Sequence, residues 1–344
     1  MLKVCLFSVL ALLLSYTCAL GQDPHLSQFY HAPLSLNPAM TGLMNHDIRM
    51  SANYRTQWAS ITTPFQTIDA SLDASILAGP NSDDFFGVGL SLTNDKAGDT
   101  DLKATGVHLS GAYSKALTSD AEHFISIGGK FGMVNRSLNF TSLTFDSQFN
   151  GETIDNSLNS GEEFERTQFT FADFAAGISW FYASNDQTKM YAGASLAHIN
   201  EPDQRFLVGG IPDNLYRKWT FHLGGEIPLN DELSVIPRSE VLVQGPHKEF
   251  NVGALLKYNL TPGILPEEGG MSVQLGTTHR WLDAQIAVVR FDYLQLGISF
   301  SYDFNISALS TASRGLGGPE IAVIYKTNLW QGDRRAKRGA VHCP

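Results

Sequence analysis

The sequence predicts an all-β fold: a transmembrane antiparallel β-barrel of about 14 strands, preceded by a short N-terminal plug or periplasmic segment. Three observations point there. Apolar and polar residues alternate with period two along most of the chain, no amphipathic helix interrupts them, and an export signal stands in front.

The export signal comes first. Lys3 gives a positive start, Val4 to Leu14 is an apolar run, and Ala19-Leu20-Gly21 supplies small residues for cleavage, so residues 1–21 are read as a signal peptide and Gln22 as the mature start. A run of about 11 apolar residues falls short of the ~20 that span a bilayer. A lipidated Cys18 is the rival start, but Ser15-Tyr16-Thr17 lacks the small residue expected before it.

Residues 22–46 form the next unit and contain the stretch LNPAMTGL, Leu36 to Leu43. Pro38 fixes its own φ and pushes Asn37 out of the helical region, Asn37 can close an Asx turn, and Gly42 can take a positive φ. This bent connector carries Phe29, Tyr30, Leu34 and Leu36, which are costly to leave in water. The segment is therefore expected on or inside the inner mouth of the barrel; a plain spacer between signal and strand is the other reading.

The barrel is expected over residues 47–330. Ile48, Met50, Ala52 and Tyr54 alternate with Arg49, Ser51, Asn53 and Arg55; Ile68, Ala70, Leu72, Ala74 and Ile76 alternate with Asp69, Ser71, Asp73 and Ser75. Further runs of this kind start near Phe86, Leu102, Phe124, Thr170, Lys189, Lys218, Leu233, Glu249, Met271, Asp283, Tyr293 and Pro319. Many are roughly ten residues or longer, as tilted membrane strands require, and an even count brings both chain ends to one side. With that side periplasmic, the connections after strands 4, 6 and 8 are short and those after strands 5, 7 and 13 long. LTPGILPEEGG is a longish inner connection. Tyr54, Trp180, Tyr182, Trp219 and Tyr258 near strand ends suit interfacial girdles. A soluble β-sandwich or jelly roll is the alternative that also alternates.

Residues 331–344 read as a basic periplasmic tail containing RRAKR, and Cys343 is the lone cysteine of the mature chain, so no internal disulfide is possible. A net charge of -10 argues against nucleic acid. A mean hydropathy of -0.09 suits a barrel whose strands alternate.

Inward charges invite a structural or a filtering role. A turn through Ser60 to Phe65 would set Arg55 opposite Asp69, a pair that fills and stiffens the lumen. Signals for an enzyme are poor: His108 shares a face with Ser110, and Gln274 with Thr278, but no acid, base and nucleophile assemble. Asp95, Asp99 and Asp101 crowd a turn that Lys96 interrupts, so neither metal nor cofactor is expected. The loop from Ser137 to Thr167 carries Asp146, Glu152, Asp155, Glu162, Glu163 and Glu165 and could be solvated or meet a surface partner.

The run QDPHLSQFYHAPLSLNPAMTG followed by RMSANYRTQWASITTPFQTIDASLD resembles the start of the PorP/SprF family of the type IX secretion system of Bacteroidetes. The matching positions are Asp23-Pro24, Ser27-Gln28-Phe29, Asn37-Pro38-Ala39 with Gly42, and Tyr54-Arg55-Thr56-Gln57-Trp58, with Asp69 and Asp73 beyond them. GVGLSLTNDKAGD, with Asn94 and Asp95, is similar, as are SYDFNISALSTASRGLGGPEIAVIY, with Tyr302, Asp303 and Glu320, and the terminal Cys343-Pro344. Family members often add an aromatic after Cys-Pro, so here the strand ending in Leu329-Trp330 is the expected assembly signal. The resemblance implies an outer-membrane barrel that binds without covalent chemistry. It would contact outer-membrane lipid, secretion machinery on the periplasmic side, and secreted cargo on the outer side, such as large adhesins with C-terminal sorting domains, sometimes used in gliding. A passive porin or small-solute transporter is the rival, and an outer-membrane lipid enzyme a third reading.

Overall fold

A computed structural model describes residues 23–328 apart from 45, 79–82, 99–100, 141–142, 156, 160, 162–165, 185–187, 207–212 and 262–269. Fourteen antiparallel strands close into a barrel. They are β1 (Ile48–Gln57), β2 (Phe65–Leu77), β3 (Phe85–Ala97), β4 (Leu102–Ala116), β5 (His123–Ser137), β6 (Gln168–Ala183) and β7 (Lys189–Ala197). The second half comprises β8 (Lys218–Pro228), β9 (Leu233–Gln244), β10 (His247–Asn259), β11 (Met271–Arg280), β12 (Ala284–Tyr293), β13 (Leu296–Asn305) and β14 (Leu316–Thr327). Each strand pairs with its chain neighbours, and β1 pairs with β14, so no edge is left open. No helix among the described residues is long and apolar enough to cross a membrane.

Alternation sorts the side chains. On β1 Met50 and Tyr54 face outward, 46% and 44% exposed, while Arg49, Ser51, Asn53 and Arg55 are buried within. On β2 the outward residues are Ile68, Leu72 and Ile76, and the inward ones Asp69, Ser71, Asp73 and Ser75. The same order around the ring makes an apolar outer belt and a polar lumen, as a bilayer requires of a closed barrel. The long connections 138–167, 198–217 and 306–315 leave one end, called here the loop end; 117–122, 184–188, 229–232 and 294–295 are short turns at the other, terminal end, which also carries the longer 260–270.

The register of the first hairpin differs from the expectation. Arg55 lies opposite Thr67, and Asp69 opposite Asn53; the charges that face each other are Arg49 and Asp73. The cause is the connection. Trp58 takes a positive φ of 57° and its carbonyl receives the amides of Ile61 and Thr62, so β2 already starts at Phe65, opposite Gln57. The two-residue shift keeps every side chain on its expected face.

The N-terminal segment does not stop at an inner mouth. Residues 23–44 run down the lumen from the loop end to the terminal end, and the chain then turns into β1. Asp23 contacts His198, Lys218 and Gln244, all at the loop end, whereas Thr41 and Gly42 reach Ser110 and Asp73 and the Asp47 amide bonds Thr327 at the terminal end. Three short helical turns, Phe29–His31, Pro33–Leu36 and Pro38–Met40, form this plug. Asn37 is extended, at φ -158° and ψ 120°, and its side chain accepts the Ala39 amide at 2.9 Å; Gly42 has φ +71°. The wall gives way to the plug where they touch: a Cβ at Gly87 would strike the Thr41 carbonyl, and one at Gly177 the Asn37 amide oxygen.

Apolar packing holds the terminal half. Phe29, Tyr30, Leu36, Met40 and Leu43 of the plug cluster with inward Phe85, Phe124, Phe181 and Tyr191 of the wall. Each such side chain contributes about 1.5–3 kcal/mol on burial, so the lumen has a hydrophobic core of its own.

Two outcomes are expected of this arrangement. Arg49→Ala and Asp73→Ala should each destabilise the detergent-solubilised barrel by about 3 kcal/mol or more, with the double variant well short of their sum, because either single change strands a buried charge. Arg55→Ala and Asp69→Ala should instead add within about 0.5 kcal/mol; denaturant titration of both sets reads the difference. In a Cys343→Ser background, Thr41→Cys with Ser110→Cys should form a disulfide, since the two hydroxyls stand 3.0 Å apart. Free thiols in the folded protein would place the segment elsewhere.

Candidate functional site

The chemistry of the inward polar face becomes specific where the plug meets it. Near the loop end, the Glu320 carboxylate on β14 accepts the backbone amides of Ser27 at 2.7 Å and Gln28 at 3.2 Å, and the Asn53 side chain at 3.0 Å. Beside it, Asp303 on β13 accepts the Ser27 hydroxyl at 2.8 Å and pairs with Arg55 at 2.7 Å and Arg280 at 3.1 Å. Arg280 also donates to the Ser27 hydroxyl, and Arg55 to the His25 carbonyl. Two carboxylates and two guanidiniums from β1, β11, β13 and β14 thus close on three plug residues, His25, Ser27 and Gln28, with charge-assisted bonds in a buried setting.

Above this cluster, Asp23 anchors the outer end of the plug. Its carboxylate meets His198 Nε2 at 2.7 Å and Lys218 Nζ at 2.6 Å, and its amide donates to Gln244 at 2.9 Å. The other ring nitrogen of His198 meets Asp173 at 2.8 Å. Burial opposes the imidazolium, but the carboxylates of Asp23 and Asp173 outweigh it and raise the His198 pKa to about 9. Burial also opposes the Asp23 charge, and His198 and Lys218 overcome it, holding that carboxyl well below the usual range. With both ring nitrogens engaged, His198 has no free nitrogen to act as a base on a third group.

Lower down, wall side chains donate to carbonyls of the short helical turns, of which the Met40 carbonyl also takes the Leu43 amide. Ser195 donates to the Leu36 carbonyl at 2.8 Å, Ser126 to Ala39 at 2.7 Å, and Arg49 to Met40 at 3.0 Å. Asn37 Nδ2 donates to the Ile178 carbonyl at 3.0 Å and lies 3.0 Å from His222 Nε2. The amide of Gly42 donates to Asp73, which also takes Arg49 through two bonds of 3.0 and 2.8 Å. Asp69 accepts the Ser35 hydroxyl.

A cavity of about 190 Å³ lies between plug and wall toward the loop end, where Asp69, Asp95, His108, Lys130, Arg136 and Asp173 face it. Among the described residues no group of three His, Cys, Asp or Glu side chains could hold a metal ion. What these contacts do chemically is bind and hold.

Of the residues singled out from sequence, Asn37, Pro38, Gly42, Arg55, Asp69, Asp73, Asp303 and Glu320 come together at the plug, and Asp95 lines the cavity while accepting Thr67 at 2.6 Å. Others do not join them. Tyr54 faces outward, Tyr302 packs on Phe304, Asn94 bonds Thr105, Gln57 ends β1, and Trp58 opens the turn after it, edge-on to Phe65. Cys343, the basic tail, Leu329-Trp330, the signal peptide with Cys18, and Asp99, Glu162, Glu163 and Glu165 lie outside the described residues. Sequence reasoning missed Lys218, Arg238, Arg280 and Arg290, whose only signal is a basic residue on the polar side of an alternating strand, and His198, which follows β7 and carries no such signal.

The sign of the His198 linkage is fixed by its raised pKa. Its contribution is complete below the ordinary value near 6.5 and is lost as pH rises through about 9. Thermal stability in detergent should therefore fall between pH 7 and 9.5, and His198→Ala should lack that limb; parallel profiles would mean that the Asp23 anchor does not form.

Comparison with known proteins follows the same lines. Residues 19–321 match the family described as type IX secretion system membrane protein PorP/SprF. The solved toluene transporter TbuX of Ralstonia pickettii is similar in fold, with 12% identity, 90% of this chain and 96% of that chain covered, and a TM-score of 0.51. The toluene transporter TodX of P. putida is 12% identical over 86% of this chain and 93% of that one, with a TM-score of 0.47. No curated protein matches. A closed barrel with an apolar belt, together with a family match over nearly the whole length, makes this chain a member of the PorP/SprF family of type IX secretion system membrane proteins, an outer-membrane β-barrel.

Proposed function

We propose that the barrel is a plugged platform that binds particular secreted proteins and helps them cross, or stay attached to, the outer membrane. The observation that carries this reading is the N-terminal segment, which occupies the lumen from one end to the other and leaves the surfaces, more than a pore, for function. In this reading residues 1–21 are a signal peptide, 22–46 the plug, 47–330 the barrel and 331–344 a periplasmic tail. The loop end faces outward, because long connections favour that side.

The outer surface offers material for a cargo contact. The long connections 138–167 and 198–217 pack together: the ring centroids of Phe140 and Phe206 lie 6.1 Å apart, and Arg166 donates to the Arg205 carbonyl at 3.1 Å. Phe149, Ile154 and Leu158 of the first are exposed, beside acidic Asp146, Glu152 and Asp155. An adhesin with a C-terminal sorting domain, used in gliding where the cell glides, suits such a surface, and the short turns and tail suit the secretion machinery on the periplasmic side. A passive porin or small-solute transporter is the competing function.

Deleting the gene should leave small-solute uptake unchanged while a specific surface protein accumulates inside the cell or is lost to the medium. Surface proteomics and uptake assays on one strain pair decide it. Normal export and retention of every surface protein, with slower uptake of a solute, would replace the secretion reading with the transporter one.

A further inference from the structure

Five arginines of the wall are buried: Arg49, Arg55, Arg238, Arg280 and Arg290. Four of them have a carboxylate in reach, Asp73 for Arg49, Asp303 for Arg55 and Arg280, and Asp292 for Arg290. Arg238, on β9, is the exception among the described residues. It is 2% exposed, and none of its three side-chain nitrogens has a hydrogen-bond partner.

Its surroundings account for one face only. The guanidinium carbon sits 3.4 Å from the centroid of the Tyr30 ring, so the plug covers the flat side of the cation. The in-plane edge, along which all N–H groups point, makes no hydrogen bond of normal geometry to a described residue, and the neutral Tyr30 hydroxyl beside it brings no charge. Across the sheet Arg238 faces Gly224 on β8 and Gly253 on β10; the Tyr191 hydroxyl stands where a Gly224 side chain would be, and it brings no carboxylate. The Tyr30 hydroxyl is also buried without a partner. The neighbouring plug residue brings no negative charge either: His31 lies with Nδ1 at Gln28 Oε1, 3.1 Å away, and Nε2 at Arg290 Nη1, 2.7 Å away, the pattern of a neutral imidazole that donates through one nitrogen and accepts through the other. A cation–π contact offsets only part of the cost of removing a guanidinium from water. Wherever else this lumen buries such a group, it supplies a negative charge.

We propose that a small monovalent anion of halide size binds at the edge of Arg238, takes the Tyr30 hydroxyl as a further donor, and so pins the plug to β9. The small size follows from the burial, since Arg238 is 2% and Tyr30 3% exposed. Water would satisfy the N–H groups without supplying the charge. The site stands independently of which cargo the barrel serves, because it concerns only how plug and wall are joined.

The test compares the full-length protein with Arg238→Met, which keeps the bulk and removes the charge, in detergent at constant ionic strength. In sodium bromide the unfolding temperature of the unaltered protein should exceed that in sodium gluconate by several degrees, with a saturating dependence on bromide. Arg238→Met should show the same temperature in both salts and, in gluconate, should be at least as stable as the unaltered protein. Equal bromide responses in the two proteins would overturn the site. Should the variant fail to fold, crystals of the unaltered protein soaked in bromide decide instead: an anomalous peak beside Arg238 supports the anion, and a water there with no peak rejects it.

Discussion

Everything in this barrel depends on how its polar inner face is kept satisfied. A fourteen-strand wall that turns its apolar side chains to lipid must turn its charges inward, into a space too confined to hydrate them fully. The chain meets that constraint with its own N-terminal segment. Glu320, Asp303 and Asp73 each accept hydrogen bonds from the plug as well as from the wall, so the carboxylates of the lumen are also the plug's docking points.

The two halves of the plug are held by different forces. Near the terminal end Leu36, Met40 and Leu43 meet Phe85, Phe124 and Phe181, and the contact is non-directional. Toward the loop end the interactions are directional and charged, through Ser27, Gln28 and Asp23. The first kind stabilises burial, the second fixes position: a shift of the plug by one residue would strip the Ser27 and Gln28 amides from Glu320. Short helical turns suit this task, because they expose carbonyls that Ser126, Ser195 and Arg49 can reach.

Much of this was legible in the sequence. The period-two pattern gave the strands and their faces, since a one-residue error would put Arg49 and Asp69 in lipid. The bend at Asn37-Pro38 and the positive φ of Gly42 were legible because they are local preferences of those residue types. The Arg55–Asp69 pair was not, because the turn closed by Trp58 sets the register, and its conformation is not written in the alternation. The path of the plug was hidden for a deeper reason. Asp23 meets His198 and Lys218, and Ser27 meets Glu320, across almost the whole chain, and no local pattern in residues 22–46 says which wall they will face. Several residues of the family-like motifs converge at the plug, which no motif by itself reveals, whereas Tyr54, Asn94 and Tyr302 do not.

The central claim is that the lumen is filled by residues 23–44, and electrical conductance tests it most directly. Reconstituted into a planar bilayer at moderate voltage, the full-length protein should insert without opening a steady ohmic pathway. Stable, voltage-independent conductance steps of porin size from the intact protein would contradict the account, because no such current can pass a lumen closed by the plug.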